Sequence, residues 1–246
     1  MINPADIQKI MFLDIETVPQ EASLNGLSEA LLHSWEDKFN LIRKRMPEKY
    51  SDETTASEAF ETSAGIYAEF GKIVCISVGF IHYKGAEMCF RAKSFAGHDE
   101  KAILEDFASL LAKFCTTKDH TLCGHNIKEF DIPYICRRML INGVALPAIL
   151  NISGKKPWEI NFIDTLELWK FGDFKNYTSL KLLTAVFGIP TPKDDIDGSQ
   201  VAHVYYVEND VERIATYCQK DVLATAQVYL RMQNAALMKP ENIEFK

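Results

Sequence analysis

The 246-residue sequence contains no run of about eighteen apolar residues, the length a helix needs to cross a bilayer, so no membrane span is expected. Its opening, "MINPADIQKI", lacks the basic start and apolar core of a secretory signal, and a cytoplasmic protein is expected. The six cysteines form no C-x-x-C pair, and several sit inside apolar runs such as "KIVCISVGF", so they read as reduced core thiols. The six histidines are dispersed, and no zinc site is legible. An excess of positive charge is also missing: the net charge is −7, which argues against a protein held to nucleic acid by bulk electrostatics. That balance leaves room for an enzyme that touches nucleic acid only locally, or for carboxylates neutralised by bound metal. No repeat, low-complexity tract or linker is visible, so residues 1–246 are expected to form one domain.

Hydrophobic residues make up 47% of the chain, enough for a sizeable core. Residues 10–14 read as a short buried strand. Residues 17–70 are rich in charge, Ser and Thr, with helical spacing around "LSEALLHSWEDKFNLI" and then a polar stretch, "KYSDETTASEAFETS". They read as a long insertion, helical in part and mobile in part, placed to cover whatever the first strand carries. "KIVCISVGFIHY" and "AEMCFRAKSF" flank Lys84-Gly85 as a hairpin. Ile103, Leu104, Phe107, Leu110, Leu111 and Phe114 fall on one helical face behind a capping Asp99. "TLCGHN" is a fourth strand, "IKEFDIPYICRRMLI" a helix, "EINFIDTLELW" a fifth strand ending at Asp164, and "SLKLLTAVFGI" a helix closed by Gly188. A long helix from about Val207 to Leu237 finishes the chain. The order implies an α/β layered domain with a mixed sheet.

The stretch "IMFLDIETVPQ" runs from four apolar residues into Asp14 and then, after Ile15, into Glu16. Acidic pairs of this spacing are common by chance, roughly four at this length. What sets this pair apart is that i and i+2 of a strand point the same way, so both carboxylates project together at the carboxyl end of a buried strand, where open α/β sheets bind ligands. In "GHNIKEFDIPYI", Asp131 lies at or before a helix start, and either Asn126 or Asp131 could simply cap that helix. In "YCQKDVLAT", Tyr217 and Asp221 are four apart on a helical face with Ile214, Ala224 and Val228, so Asp221 is either solvated at the face's edge or wants a cation. A carboxylate-only set suits Mg²⁺ or Mn²⁺. Two such ions about 4 Å apart activate a water and steady the leaving oxygen in phosphodiester cleavage.

"FLDIET", "GHNIKEFD" followed by "PY", and "YCQKD" resemble, in order and spacing, the three motifs of the DEDD exonuclease superfamily. Tyr stands four residues before the last Asp, as in the tyrosine (DEDDy) branch; the position the histidine branch uses is Thr216. The chain outside 17–70 further resembles stand-alone bacterial proteins described as B-family-polymerase-like 3′–5′ exonucleases, and no polymerase domain is expected to follow. The resemblance implies a ribonuclease H-like three-layer α/β/α fold, with a five-stranded mixed sheet whose second strand is antiparallel. It implies that Asp14, Glu16, Asp131 and Asp221 hold two Mg²⁺ or Mn²⁺ ions and that Tyr217 orients the attacking water. Asn126 and Phe130, with Thr17, would contact the terminal nucleotides.

Residues 155–193 carry a local charge of +2, and "WKFGDFKNYTSL" interleaves Lys170 and Lys175 with Phe171, Phe174 and Tyr177. Stacking plus local positive charge is how single strands are held without sequence preference, and Lys175 and Tyr177 are the substrate contacts expected there; a solvated loop with its aromatics turned inward is the alternative. Asp164 reads as a helix cap or a support near the metals, and Asp195 and Asp197 stay unassigned. The reading is thus a metal-dependent 3′–5′ exonuclease, with single-stranded DNA favoured over RNA. A non-catalytic binding module on the same fold, an RNA-directed exonuclease and an endonuclease are the alternatives.

Overall fold

The computed structural model describes residues 4–173, 175, 177–190 and 196–246. In chain order the elements are α1 (Pro4–Ile7), β1 (Ile10–Pro19), α2 (Glu29–Arg45), α3 (Ala56–Ser63), β2 (Gly71–Lys84), β3 (Glu87–Ala96), α4 (Glu100–Phe114), β4 (Thr121–Gly124), α5 (Asp131–Ile141), β5 (Ile163–Asp164), α6 (Thr165–Lys170), α7 (Leu180–Val186), α8 (Val201–His203), α9 (Val211–Met232) and β6 (Ile243–Phe245). The sheet runs β5-β4-β1-β2-β3-β6. β2 is antiparallel to both β1 and β3, and the β1–β4, β4–β5 and β3–β6 pairs are parallel.

Alternation along β1 sets the layers. Met11, Leu13 and Ile15 face one side, where they pack with Leu104, Phe107 and Leu111 of α4 and with Ile132, Ile135 and Met139 of α5. Ile10 and Phe12 face the other side and meet Val222, Ala226 and Leu230 of α9. Each of these large side chains contributes about 1.5–3 kcal/mol by leaving water, so the two faces fix α5 and α9 on opposite sides of one strand. Gly79 lets α9 come close: a Cβ there would meet Phe90 Cζ at 2.2 Å and Val222 Cγ1 at 2.9 Å. The hairpin turns at Gly85-Ala86, with Lys84 opposite Glu87 and Gly85 at φ +62°. Asp99 caps α4 by accepting from the Ala102 N–H at 3.1 Å, as its position predicts.

Four expectations need correction. The sheet has six strands, not five, because Ile243–Phe245 pairs with Phe90–Ala92, and three residues are too few to show a strand period in sequence. The first strand continues to Pro19, since β2 goes on pairing with it past a register shift between Glu16 and Thr17; the segment joining β1 to β2 is therefore 20–70, not 17–70. Its polar part forms α3, whose Thr55 and Glu58 make a reciprocal capping box. Around α2 and α3 a separate core of Leu24, Trp35, Phe39, Tyr50, Phe60 and Phe70 is buried. Finally, the last helix spans Val211–Met232; Val204–Glu208 is a wider π-type turn, and Asn209 breaks the path with φ +54°.

Candidate active site

β1 pairs with β4 only through Ile10–Phe12 but with β2 as far as Pro19. Beyond Phe12 its β4 side is open, which leaves a crevice outside the carboxyl end of β4. Asp14 and Glu16 continue the alternation that points Ile10 and Phe12 at α9, and apolar packing resumes at Val18. Two carboxylates thus interrupt an apolar stripe. Oxygens of Asp14 and Glu16 and the Cys218 sulfur all lie within 4.8 Å of one another.

Asp131 reaches the same strand from the other layer. It is the first residue of α5, is buried, and its Oδ1 accepts from the Ile15 N–H at 3.2 Å. Neither Asn126 nor Asp131 caps α5; Phe130 occupies the cap position without a side-chain bond. Asp164 shapes this loop: its carboxylate accepts from the N–H groups of Asn126 at 3.0 Å, Lys128 at 3.2 Å and Leu166 at 2.9 Å, so one buried side chain caps α6 and fixes the approach to Asp131. Asn126 sits in the left-handed region at φ +63°, a conformation asparagine tolerates better than most residues.

α9 supplies the third side. Tyr217 donates its hydroxyl hydrogen bond to Asp221, and Asp14, Glu16 and Asp221 all act electrostatically on Tyr217. Burial first, and then these carboxylates, hold the Tyr217 hydroxyl protonated far above its ordinary range. The carboxyls behave likewise. Burial, then Asp131 and Asp221, raise Asp14 well above the usual carboxylate range, and burial, then Asp14 and Asp221, do the same to Glu16. Burial pushes Asp131 up to about 7, against the lowering effect of its two backbone hydrogen bonds.

Cys218 is the residue that sequence reasoning missed. Its Sγ lies 3.3 Å from Asp14 Oδ2 and 3.4 Å from the Asp14 carbonyl, so a soft group does accompany the carboxylates. Burial keeps it a thiol, and as a thiol it donates to Asp14. Its position one residue after Tyr217 was the available signal. Behind it Ser77 Oγ lies 2.7 Å from Ser94 Oγ, and Gln219 Nε2 donates to Ser94 Oγ at 2.9 Å, so polar groups tie α9 to β2 and β3.

The expected substrate contacts divide. Thr17 is half-buried and donates to the Tyr134 hydroxyl, which itself donates to the Gly65 carbonyl at 2.8 Å. Phe130 packs on Tyr134 with ring centroids 5.5 Å apart. Tyr177 is 67% exposed, leans edge-on against His125 and is influenced by Asp131 and Asp164, which places it at the crevice. His125, which the sequence did not single out, joins the crevice walls through Thr165 Oγ1 and the Thr178 carbonyl, both at 2.9 Å. Lys175 is exposed nearby in sequence, its N–H bonded to Asp173 Oδ1 at 3.0 Å. Phe174 and Asp195 lie outside the described residues. Asp197 is exposed and bonds the N–H of Ser199 at 2.9 Å, closing its own turn.

Residues 66–242, more than half of the chain, match a family described as a predicted 3′–5′ exonuclease related to the exonuclease domain of PolB. The chain belongs to this family. The match includes Asp131, Tyr217 and Asp221 but begins after Asp14 and Glu16, so it is the fold that brings the first pair to the others. No curated protein matches. Among solved structures, the family B DNA polymerase of the hyperthermophilic archaeon Pyrobaculum calidifontis superposes over 90% of this chain with a TM-score of 0.50 and 14% identity. That likeness shows a shared fold, and this chain spans about a quarter of the polymerase, 24% of its length. Among the described residues, no helix is long and apolar enough to cross a membrane.

Proposed function

We propose that this exonuclease is a metal-dependent enzyme of the tyrosine-type DEDD class on a ribonuclease H-like fold, removing nucleotides from the 3′ end of single-stranded nucleic acid, with DNA favoured. The observation that carries the reading is the convergence of Asp14, Glu16, Asp131 and Asp221, from a strand and two helices, at one crevice where the carboxylates act on one another electrostatically. Buried like charges at this density call for a cation, and hard oxygens with a protonated thiol behind them suit Mg²⁺ or Mn²⁺. Asp14, Glu16 and Asp221 would hold one ion, and Asp14 with Asp131 a second. Two bound cations would supply a deprotonated water and charge relief at the leaving oxygen. The chain's own residues do the rest. Tyr217, held protonated, is a donor and not a base, so its task is to orient the attacking water. Asp164 keeps Asn126 and the start of α5 in place. Exposed Tyr177, together with Phe171, which is 92% exposed in a left-handed turn, offers faces on which bases can stack, and Lys175 offers a charge for a phosphate.

On this reading the chain acts as one domain in which residues 20–70 form an insertion beside the crevice. Its six unpaired cysteines suit a reducing compartment such as the cytoplasm. The test is digestion of 5′-labelled single-stranded DNA and RNA of one sequence with Mg²⁺, Mn²⁺ or EDTA. A ladder shortening from the 3′ end that EDTA abolishes is expected, stronger on DNA. Intact substrate under every condition would leave a binding module, and cleavage of a circular strand would make the enzyme an endonuclease.

A further inference from the structure

Within a chain of net charge −7, residues 38–49 carry Lys38, Arg43, Lys44, Arg45 and Lys49 against the single acid Glu48. That is +4 in twelve residues, leaving −11 on the remainder. The charges are segregated along α2: its acids, Glu29, Glu36 and Asp37, lie in the first half, and the cations gather at the end. Favourable interaction with the helix dipole accounts for a cation or two in a last turn, but not for Lys49 beyond the helix or for the absence of counterions. Among the described residues, Arg43, Lys44, Arg45 and Lys49 make no ion pair. Instead Arg43 lies over the Phe39 ring at 5.7 Å and Lys49 over Tyr50 at 5.2 Å, while Lys44 and Arg45 are exposed.

This helix is fixed to the crevice. Lys38 Nζ sits 4.2 Å above the Tyr67 ring, whose carbonyl accepts from the Gly71 N–H at 2.8 Å, and Gly71 pairs with Pro19. Gly65 lies so close to the backbone of Val18, two residues beyond Glu16, that a Cβ there would stand 3.1 Å from the Val18 carbonyl carbon. From Glu16 along β1 to Pro19 is about 10 Å, and from Lys38 to Arg45 along α2 about another 10 Å. With the crossing through Gly71 and the Tyr67 ring added, the cations lie on the order of 30–40 Å from the carboxylates along this path, a distance that a single strand of several nucleotides spans.

We infer that the end of α2, with Arg43, Lys44, Arg45 and Lys49, is a second nucleic-acid contact: it holds phosphates of the substrate strand several nucleotides away from the 3′ end being trimmed. The inference rests on the exonuclease reading and adds a length dependence to it. A substrate long enough to reach α2 gains affinity, a very short one does not, and turnover at the carboxylates is the same for both.

The test compares the wild type with R43E/K44E/R45E and with K84E/K113E/K118E, which changes net charge equally at exposed lysines elsewhere. Thermal melts confirm that both fold. Binding of fluorescein-labelled 25-nucleotide and 4-nucleotide single-stranded DNA is followed by anisotropy in EDTA across a salt series. The α2 variant should bind the 25-mer about tenfold or more weakly at low salt, with the slope of log affinity against log salt reduced by about two, close to 0.7 per lost phosphate contact. Its 4-mer affinity should match that of the control variant. Equal 25-mer binding by the two variants would overturn the inference. So would unchanged 25-mer binding with loss of binding to vesicles containing anionic lipid, which would make the patch a membrane contact. Metal-dependent release of nucleotides from the 4-mer is scored separately; its absence in the wild type would count against the exonuclease reading, whereas the EDTA binding data bear on the patch alone.

Discussion

Two groups of buried acids stand side by side in this protein and are treated in opposite ways. Glu100 begins α4 and is fully answered: Arg138 Nε donates to its Oε1 at 2.8 Å and Nη2 to its Oε2 at 2.6 Å, Asn142 Nδ2 to Oε2 at 2.9 Å, and the Ile73 N–H to Oε1 at 2.7 Å. The third guanidinium nitrogen of Arg138, Nη1, donates to the Ala68 carbonyl at 2.8 Å. Asp14, Glu16 and Asp131 receive a thiol and two backbone N–H groups and otherwise face other carboxylates. A buried carboxylate that exists for the fold is paired by the fold; on the exonuclease reading, those crowded among their own kind, and pushed toward the protonated form by burial and by that crowding, are held for cations.

Mutation can break that contrast. Asp14→Ala should lower nuclease activity on the order of a thousandfold, the loss of several kcal/mol of metal-borne stabilisation. Its metal-free melting temperature should hold or rise, because a repelling charge has gone. A fall comparable to that of a core variant would show that Asp14 also serves the fold. Arg138→Met should do the reverse, costing about 3–5 kcal/mol in denaturant titrations by stranding the Glu100 charge; a mild effect would erase the distinction drawn between the two groups.

Titration sharpens the contrast further. Asp131 has a folded value of about 7, above its unfolded 3.8, so the native state binds the extra proton between those limits. Without metal, stability should therefore fall as pH rises from about 4, with the part due to Asp131 complete near 7 and the raised Asp14 and Glu16 continuing the fall. Asp131→Asn should make the slope between pH 4 and 7 shallower, and added Mg²⁺ should restore stability more at pH 8 than at pH 5. A flat metal-free profile in the wild type would mean that Asp131 is not held above the ordinary range. The smallest effect belongs to Asp164→Ala, which removes a cap and two loop contacts. About 1–2 kcal/mol should be lost, with KM raised more than kcat is lowered; an unchanged KM would separate Asp164 from the crevice.

Much of this was legible in sequence because it rests on local rules. Alternation in "IMFLDIE" placed Asp14 and Glu16 on one face, helical spacing joined Tyr217 to Asp221, and Asp99, Asp164 and Gly188 sit at the helix ends where their chemistry suits them. The capping box Thr55-x-x-Glu58 was equally local and was hidden only by the polar residues around it. What escaped depends on distant partners. β6 is three residues whose strand character comes from β3, and β1 extends past Glu16 because β2 runs on beside it. Cys218 is an ordinary core thiol until the fold sets it against a residue 204 positions earlier.

That last separation bears on the protein's birth. The strand carrying Asp14 and Glu16 is made about two hundred residues before Tyr217, Cys218 and Asp221. Contacts so far apart close late in folding. On the exonuclease reading, a nascent chain that already holds Asp14, Glu16 and Asp131 still lacks Tyr217 and the fourth carboxylate, and the nuclease arms itself only after α9 docks on β1.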